Sequence, residues 1–304
     1  MEKQHNDPLM CDTATGLCEM PGTGNTKQKH GAHVNEKPLK IIYFTDPICS
    51  SCWCIEPQLR KLKLEYGNIV EIEYRMGGLL PDWSYNSGGI SKPSDVAHHW
   101  DEASKYYDMP IDGDIWLEDP LASSYPPSIA FKAAQMQDKE KAMLFLRELR
   151  EMVFLRKKNI AKWENISAAA QKAGLNVTRL KTDFEGEAKN RFNDDLQLGR
   201  KLGVRGFPSL LIVDKKGHEQ MIAGARPYSA YVQAIAKLQP SQNKRPYDTG
   251  WQGLFSKFAT LTSREFAELS GTPRKEADAY LQQLYASGKL RKLETKNGAL
   301  WMSK

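Results

Sequence analysis

The chain has 304 residues, two domains' worth at roughly 150 residues per domain, so a core can be built without disulfide staples. Apolar residues make up 40% and charged residues 26%, and no uncharged apolar run approaches the ~18 residues of a membrane span, which excludes a transmembrane protein. The net charge of +6 is uneven: from Pro240 to Lys304, 11 Lys and Arg stand against 6 Asp and Glu, so the basic excess belongs to the C-terminal fifth.

Residues 1–38 are polar and without apolar periodicity, so a disordered tail is expected, with one cysteine-containing element, MCDTATGLCE, inside it. No basic stretch followed by an apolar run opens the chain, and a cytoplasmic location, where thiols stay reduced, is the expectation. LKIIYFTD then reads as a strand, CSSCWCIEPQLRKLKLEYGN as one helix from about Cys49 to Tyr66 ending at Gly67, and IVEIEYRM as a second strand. Between Lys92 and about Leu202 five amphipathic segments predict a long helical insert, at about 85–202. Strand character returns at PSLLIVDKKGHEQMIAGA, where DKKG reads as a hairpin turn, and a helix from Pro227 to Leu238 follows. The order β, α, β, several helices, β, β, α predicts an α/β domain over 39–238, a mixed sheet with helices on both faces that resembles a thioredoxin scaffold with a helical insertion. After a linker at 239–252, residues 253–304 give a helix (Ser263 to Leu269), a turn at Gly271, a helix from about Pro273 to Ser287 and a hairpin through KNG. That is the order of a small winged-helix-like α+β module.

Five cysteines, Cys11, Cys18, Cys49, Cys52 and Cys54, are too few and odd in number for a disulfide framework, which leaves catalytic, redox or metal chemistry. The strongest signal is Cys49-Ser50-Ser51-Cys52 at a strand-to-helix junction. This spacing places two sulfurs on one face of a helix N-terminus, whose free N–H groups and dipole favour a thiolate on Cys49, lowering its pKa from ~8.5 into the range of roughly 3.5 to 7.5. Cys49 is then the nucleophile and Cys52 the resolving thiol. The competing use of such a pair is half a zinc site, but no second CxxC or HxxxH accompanies it. Cys54, about 140° around the helix from Cys49, reads as a small buried hydrophobe.

FTDPICSSCWCIEPQLRKL, with Pro57 five residues after Cys52, resembles the DsbA-like branch of the thioredoxin superfamily. So does Gly203-Val204-Arg205-Gly206-Phe207-Pro208 directly before SLLIV, where these folds hold a cis-proline opposite the CxxC. The resemblance covers about Leu39 to Leu238. It implies that Phe207 and Pro208 present backbone to an extended substrate strand beside the sulfurs. Ser50-Ser51 lacks the His or Pro of strongly oxidising members, which tilts the expected direction toward reductase or isomerase. The DPxCxxCWxxEP pattern and LKLEYG look closest to cytosolic members, comprising FrnE-like oxidoreductases and SpxH/YjbH-type adaptors that deliver the regulator Spx to the ClpXP protease.

Cys11 and Cys18 are separated by turn formers and can close a small loop or reach Cys49 as an auxiliary redox pair; metal binding with His5, His30 or His33 and a functionless tail are the other readings. His98-His99 point to different sides of a helix and suit joint metal ligation poorly. Trp83, Trp100, Trp116 and Trp163 read as core or groove residues of the insert, and the sequons at Asn165 and Asn176 as noise. The expected function is a thiol-disulfide oxidoreductase acting on protein disulfides without cofactor or metal. The alternatives are an adaptor binding a client, an Spx-like regulator, for a ClpXP-type protease, and a redox-responsive DNA-binding regulator. DNA binding is disfavoured, because Arg274 and Lys275 are offset by Glu276 and Asp278.

Overall fold

The computed structural model describes residues 11–12, 17–19, 37–84 and 91–304. The expected disorder of the rest of the tail, its histidines, and the start of the insert at 85–90 lie outside the described residues. Two short strands belong to the tail, β1 (Cys11–Asp12) and β2 (Leu17–Glu19). The central sheet starts with β3 (Leu39–Thr45), followed by α1 (Ser50–Cys54), α2 (Glu56–Tyr66) and β4 (Val70–Met76). The single helix expected from Cys49 to Tyr66 is two. Pro57 has no N–H to give the Trp53 carbonyl, and that carbonyl instead accepts from the Ile55 N–H at the break.

Helices α3 (Pro93–Tyr107), α4 (Ile115–Glu118), α5 (Tyr125–Gln137), α6 (Lys139–Leu155), α7 (Trp163–Lys172), α8 (Val177–Glu185) and α9 (Glu187–Lys201) form the insert. Two of these had no counterpart in the sequence reading. α4 is one turn long, and α8 is short and buries only Leu180 fully, although Val177, Leu180 and Phe184 are spaced for one helix face and pack on the core. Asn176, noticed only as a sequon, is the N-cap of α8 and accepts from the Arg179 N–H at 2.9 Å.

The chain returns through β5 (Gly206–Phe207), β6 (Ser209–Asp214), β7 (Glu219–Ala223) and α10 (Tyr228–Leu238). The four-stranded sheet runs β4-β3-β6-β7, with β3 parallel to β4 and antiparallel to β6, and β6 antiparallel to β7. Its central strands β3 and β6 are almost continuously buried, as expected of strands covered on both faces. This is the thioredoxin arrangement, interrupted by helices after β4.

The C-terminal part comprises α11 (Trp251–Lys257), β8 (Thr260–Thr262), α12 (Ser263–Ser270), α13 (Arg274–Ala286), β9 (Leu290–Thr295) and β10 (Gly298–Ser303), with a sheet ordered β8-β10-β9. α11 and β8, seven and three residues long, were also not anticipated. The module has its own apolar core, from Leu254 and Phe266 to Leu281 and Trp301, distinct from the main one. Alternation along β10 serves both: Ala299 and Trp301 face the module core, while Leu300 belongs to the main core.

Candidate functional site

Strand β3 delivers Thr45 and Asp46 to a tight loop that ends at Cys49, the N-cap of α1. The Cys49 N–H donates to the Asp46 carbonyl at 3.3 Å, and the Cys49 sulfur accepts the Cys52 N–H at 3.2 Å. Cys49 and Cys52 are thus neighbours at the first turn, within hydrogen-bond reach of each other, and both are 0% exposed.

Burial alters the expected thiol chemistry. Burial and the adjacent Cys52 push the Cys49 thiol well above its ordinary range, against the helix-terminus effect that led us to expect a lowered value. Burial also penalises a Cys52 thiolate, but the Cys49 thiol's hydrogen bond, the Arg150 guanidinium and the Thr45 hydroxyl outweigh it, so Cys52 is lowered and holds the favoured thiolate. Arg150, on α6, is itself buried, donating from Nη2 to Thr45 Oγ1 at 2.6 Å and pairing through Nη1 with Glu56 on α2. Cys54 is buried as expected, and burial raises its thiol well above the ordinary value.

Asp46 completes the surroundings. Its carboxylate accepts from Ile48 N at 3.0 Å, Leu79 N at 2.8 Å and Ser124 Oγ at 2.9 Å, yet burial pushes its pKa up to about 6. Trp53 lies between Phe154, stacked on it at 5.5 Å, and Arg147, whose guanidinium sits 4.4 Å from its ring centre, and its Nε1–H donates to the Pro110 carbonyl at 3.0 Å. Trp100 and Trp116 are buried core residues that meet edge to face, while Trp83 and Trp163, expected as core or groove residues, are half-buried against the core, Trp83 on Trp116 and Trp163 on Phe184. Asp46, Arg150 and Thr45 were missed by sequence reasoning. Asp46 stands in the quoted FTDPIC segment and could have been found there, whereas Arg150 is 98 positions from Cys52 and leaves no local signal.

The Phe207–Pro208 peptide bond is cis, and both residues are buried. The Phe207 ring packs where a side chain on Gly77 would stand, an ideal Cβ there falling 1.7 Å from Cζ, so only glycine fits after β4. Strand β5 is paired with the tail: Cys18 is opposite Phe207 and Glu19 opposite Gly206, while Cys11 is opposite Cys18 in the β1–β2 pair. His98 pairs with Glu102 on the surface and His99 is buried, as the helix geometry demands. Among the described residues no three His, Cys, Asp or Glu side chains are grouped to hold a metal ion.

The family model described as thioredoxin matches residues 43–233. The ClpXP adapter protein SpxH of Halalkalibacterium halodurans is 32% identical over 305 residues, covering 98% of both chains, and that of Shouchella clausii is 30% identical over 99% of both. Among solved structures, a putative protein disulfide isomerase from Nitrosomonas europaea aligns with a TM-score of 0.59 at 23% identity, over 68% of this chain and 100% of its own. That likeness carries the fold alone. With the CxxC at the head of α1 and the helices inserted after β4, the chain belongs to the DsbA-like branch of the thioredoxin superfamily, in the family of the SpxH proteins.

Proposed function

We propose that the protein is a cytoplasmic adaptor that binds a client, an Spx-like regulator, and presents it to a ClpXP-type protease. The observation that carries this is one of extent. Relatives named as ClpXP adapters match over 98% and 99% of the chain, whereas the disulfide isomerase-like structure ends after 68% of it. The remainder includes a second core held to the thioredoxin-fold part through buried ion pairs: Glu265 of α12 accepts from Arg147 Nη1 at 2.8 Å and lies 3.2 Å from Arg60 Nε. A module docked through buried ion pairs onto a domain whose thiol pair is buried suits a binding platform better than a turnover site. Fold alone does not fix the activity.

A second reading, thiol-disulfide exchange with Cys49 attacking and Cys52 resolving beside Phe207 and Pro208, draws on the Arg150-supported thiolate at Cys52. The two separate in a reconstituted assay with purified ClpXP and an Spx-like client. The adaptor reading expects at least fivefold faster degradation in the presence of the protein, retained in Cys49→Ala/Cys52→Ala. No acceleration, together with insulin reduction that disappears in Cys49→Ala, overturns it.

A further inference from the structure

The tail cysteines play no part in the adaptor reading, yet the structure places them at the thiol site. Gly206 and Phe207 are the backbone that an extended chain would pair with to lie beside Cys49, and that edge is already taken. Strand β2 runs antiparallel to it, with Cys18 opposite Phe207, and also lies beside α1, which carries Cys52 and is capped by Cys49. Cys49 and Cys52 have no exposed surface. On the outer strand Cys11 faces Cys18, and directly opposed residues of an antiparallel pair have Cα atoms roughly 4.5–5.5 Å apart, inside the ~4.4–6.8 Å span of disulfides. Two cysteine pairs, one in the tail hairpin and one at the head of α1, therefore meet at one sheet edge.

We propose that the Cys11/Cys18 hairpin is a built-in occupant of the substrate-strand edge and the intramolecular exchange partner of Cys49 and Cys52. An external disulfide of the glutathione class first oxidises the Cys11/Cys18 dithiol, releasing two thiols. Cys49 attacks the sulfur of Cys18, losing its proton to the adjacent Cys52 thiolate; a Cys49–Cys18 bond forms, the Cys11–Cys18 bond breaks, and Cys11 leaves as a thiolate that takes up that proton from Cys52. The Cys52 thiolate then attacks the sulfur of Cys49, forming Cys49–Cys52 and releasing Cys18, which is protonated in turn. Two electrons pass from the Cys49/Cys52 dithiol to the hairpin disulfide. Tethering makes the hairpin a competitor at an effective concentration on the order of millimolar, so an incoming strand must displace it to reach the sulfurs. Thiol state is thereby coupled to access at this edge, whether or not the protein serves a protease.

The test uses the full chain alone, so its outcome is separate from that of the degradation assay. Cys11→Ser/Cys52→Ser retains Cys18 with Cys49, and Cys18→Ser/Cys52→Ser retains Cys11 with Cys49. After treatment with oxidised glutathione, peptide mapping by mass spectrometry should find the Cys18–Cys49 bridge in at least fivefold greater yield than Cys11–Cys49. Equal yields, or neither bridge, overturn the exchange. Occupancy is read separately from Cys18→Pro/Glu19→Pro. Successive N–H groups on a strand alternate between its two neighbours, so one of these prolines removes a donor facing β5 in either register. Alkylation of Cys49 by iodoacetamide should accelerate at least tenfold at unchanged circular dichroism, and an unchanged rate overturns the docked hairpin.

Discussion

Asp46 and Cys49 are three residues apart in the chain, and both are acids disfavoured by the same burial. The Asp46 carboxyl holds three hydrogen-bond donors and still titrates near 6, because three neutral dipoles replace less solvation than burial removes. Its folded pKa thus lies above the unfolded value of about 3.9. The folded state binds this proton more tightly, so the associated stability is complete below about pH 4 and is lost as pH rises through about 6. A shift of this size corresponds to an upper bound of about 3 kcal/mol at ~1.4 kcal/mol per pKa unit. Urea unfolding of the wild type and Asp46→Asn at pH 4 and pH 7.5 should show the wild type losing about 2–3 kcal/mol more than the variant over that interval. Parallel losses would mean that Asp46 stays ionised throughout.

Helix α12 is held by its first turn. Thr262 is its N-cap and Glu265 its third residue; Thr262 Oγ1 accepts from Glu265 N at 3.1 Å, and Glu265 Oε2 accepts from Thr262 N at 2.7 Å, a reciprocal capping box. The same carboxylate takes both Nη groups of Arg147, at 2.8 and 3.1 Å, so one fully buried side chain both caps α12 and joins it to α6. The Arg147 and Arg60 charges depress the Glu265 pKa against the burial that would raise it. Glu265→Gln leaves two cations facing a neutral amide and should cost on the order of 3 kcal/mol in urea unfolding at neutral pH, as removing one partner of a buried pair does. A loss under 1 kcal/mol would mean that the remaining contacts, those of Lys296 and Asn297 among them, dock the module without this pair. Features set by local pattern were legible in the sequence. A β-rich apolar run gave β3, alternation gave β4, the 3.6 period gave α6 and α13, CSSC put the paired cysteines at the head of α1, and FP marked the cis peptide bond. What was not legible depends on distance or brevity. Arg150 meets Cys52 only after α6 packs, Glu265 meets Arg147 across 118 residues, and α11 and β8 are too short to impose a period.

On the scale of the whole molecule, Lys296, Arg274 and Lys292 of the C-terminal module meet carboxylates of the protein itself. The hairpin of β9 and β10 reaches the insert, where Lys296 Nζ lies 2.6 Å from both Asp101 and Asp114, and Asn297 donates to Asp101 at 3.1 Å and to the Ile111 carbonyl at 2.8 Å. Gly298 faces Pro110, where an added Cβ would stand 3.1 Å from the ring. Arg274 at the head of α13 meets Asp108 and Asp278, and Lys292 meets Glu294 and lies 5.1 Å from the Trp301 ring centre. A hairpin whose tip is bonded to the loop after α3 is not free to follow a duplex backbone, and cations already paired with carboxylates release few counterions on meeting phosphate. The same loop provides the Pro110 carbonyl that holds Trp53, so the tip is two contacts from the thiol helix. Gel shifts of the full chain with a 30-base-pair duplex at about 50 mM salt should therefore show no retardation at micromolar protein, within the usual range of non-specific binding. Lys296→Ala/Asn297→Ala should leave that result unchanged while exposing the hairpin to trypsin at Lys292. A shift that weakens steeply with salt would require the hairpin to leave Asp101 and Asp114, and would restore the DNA-binding reading.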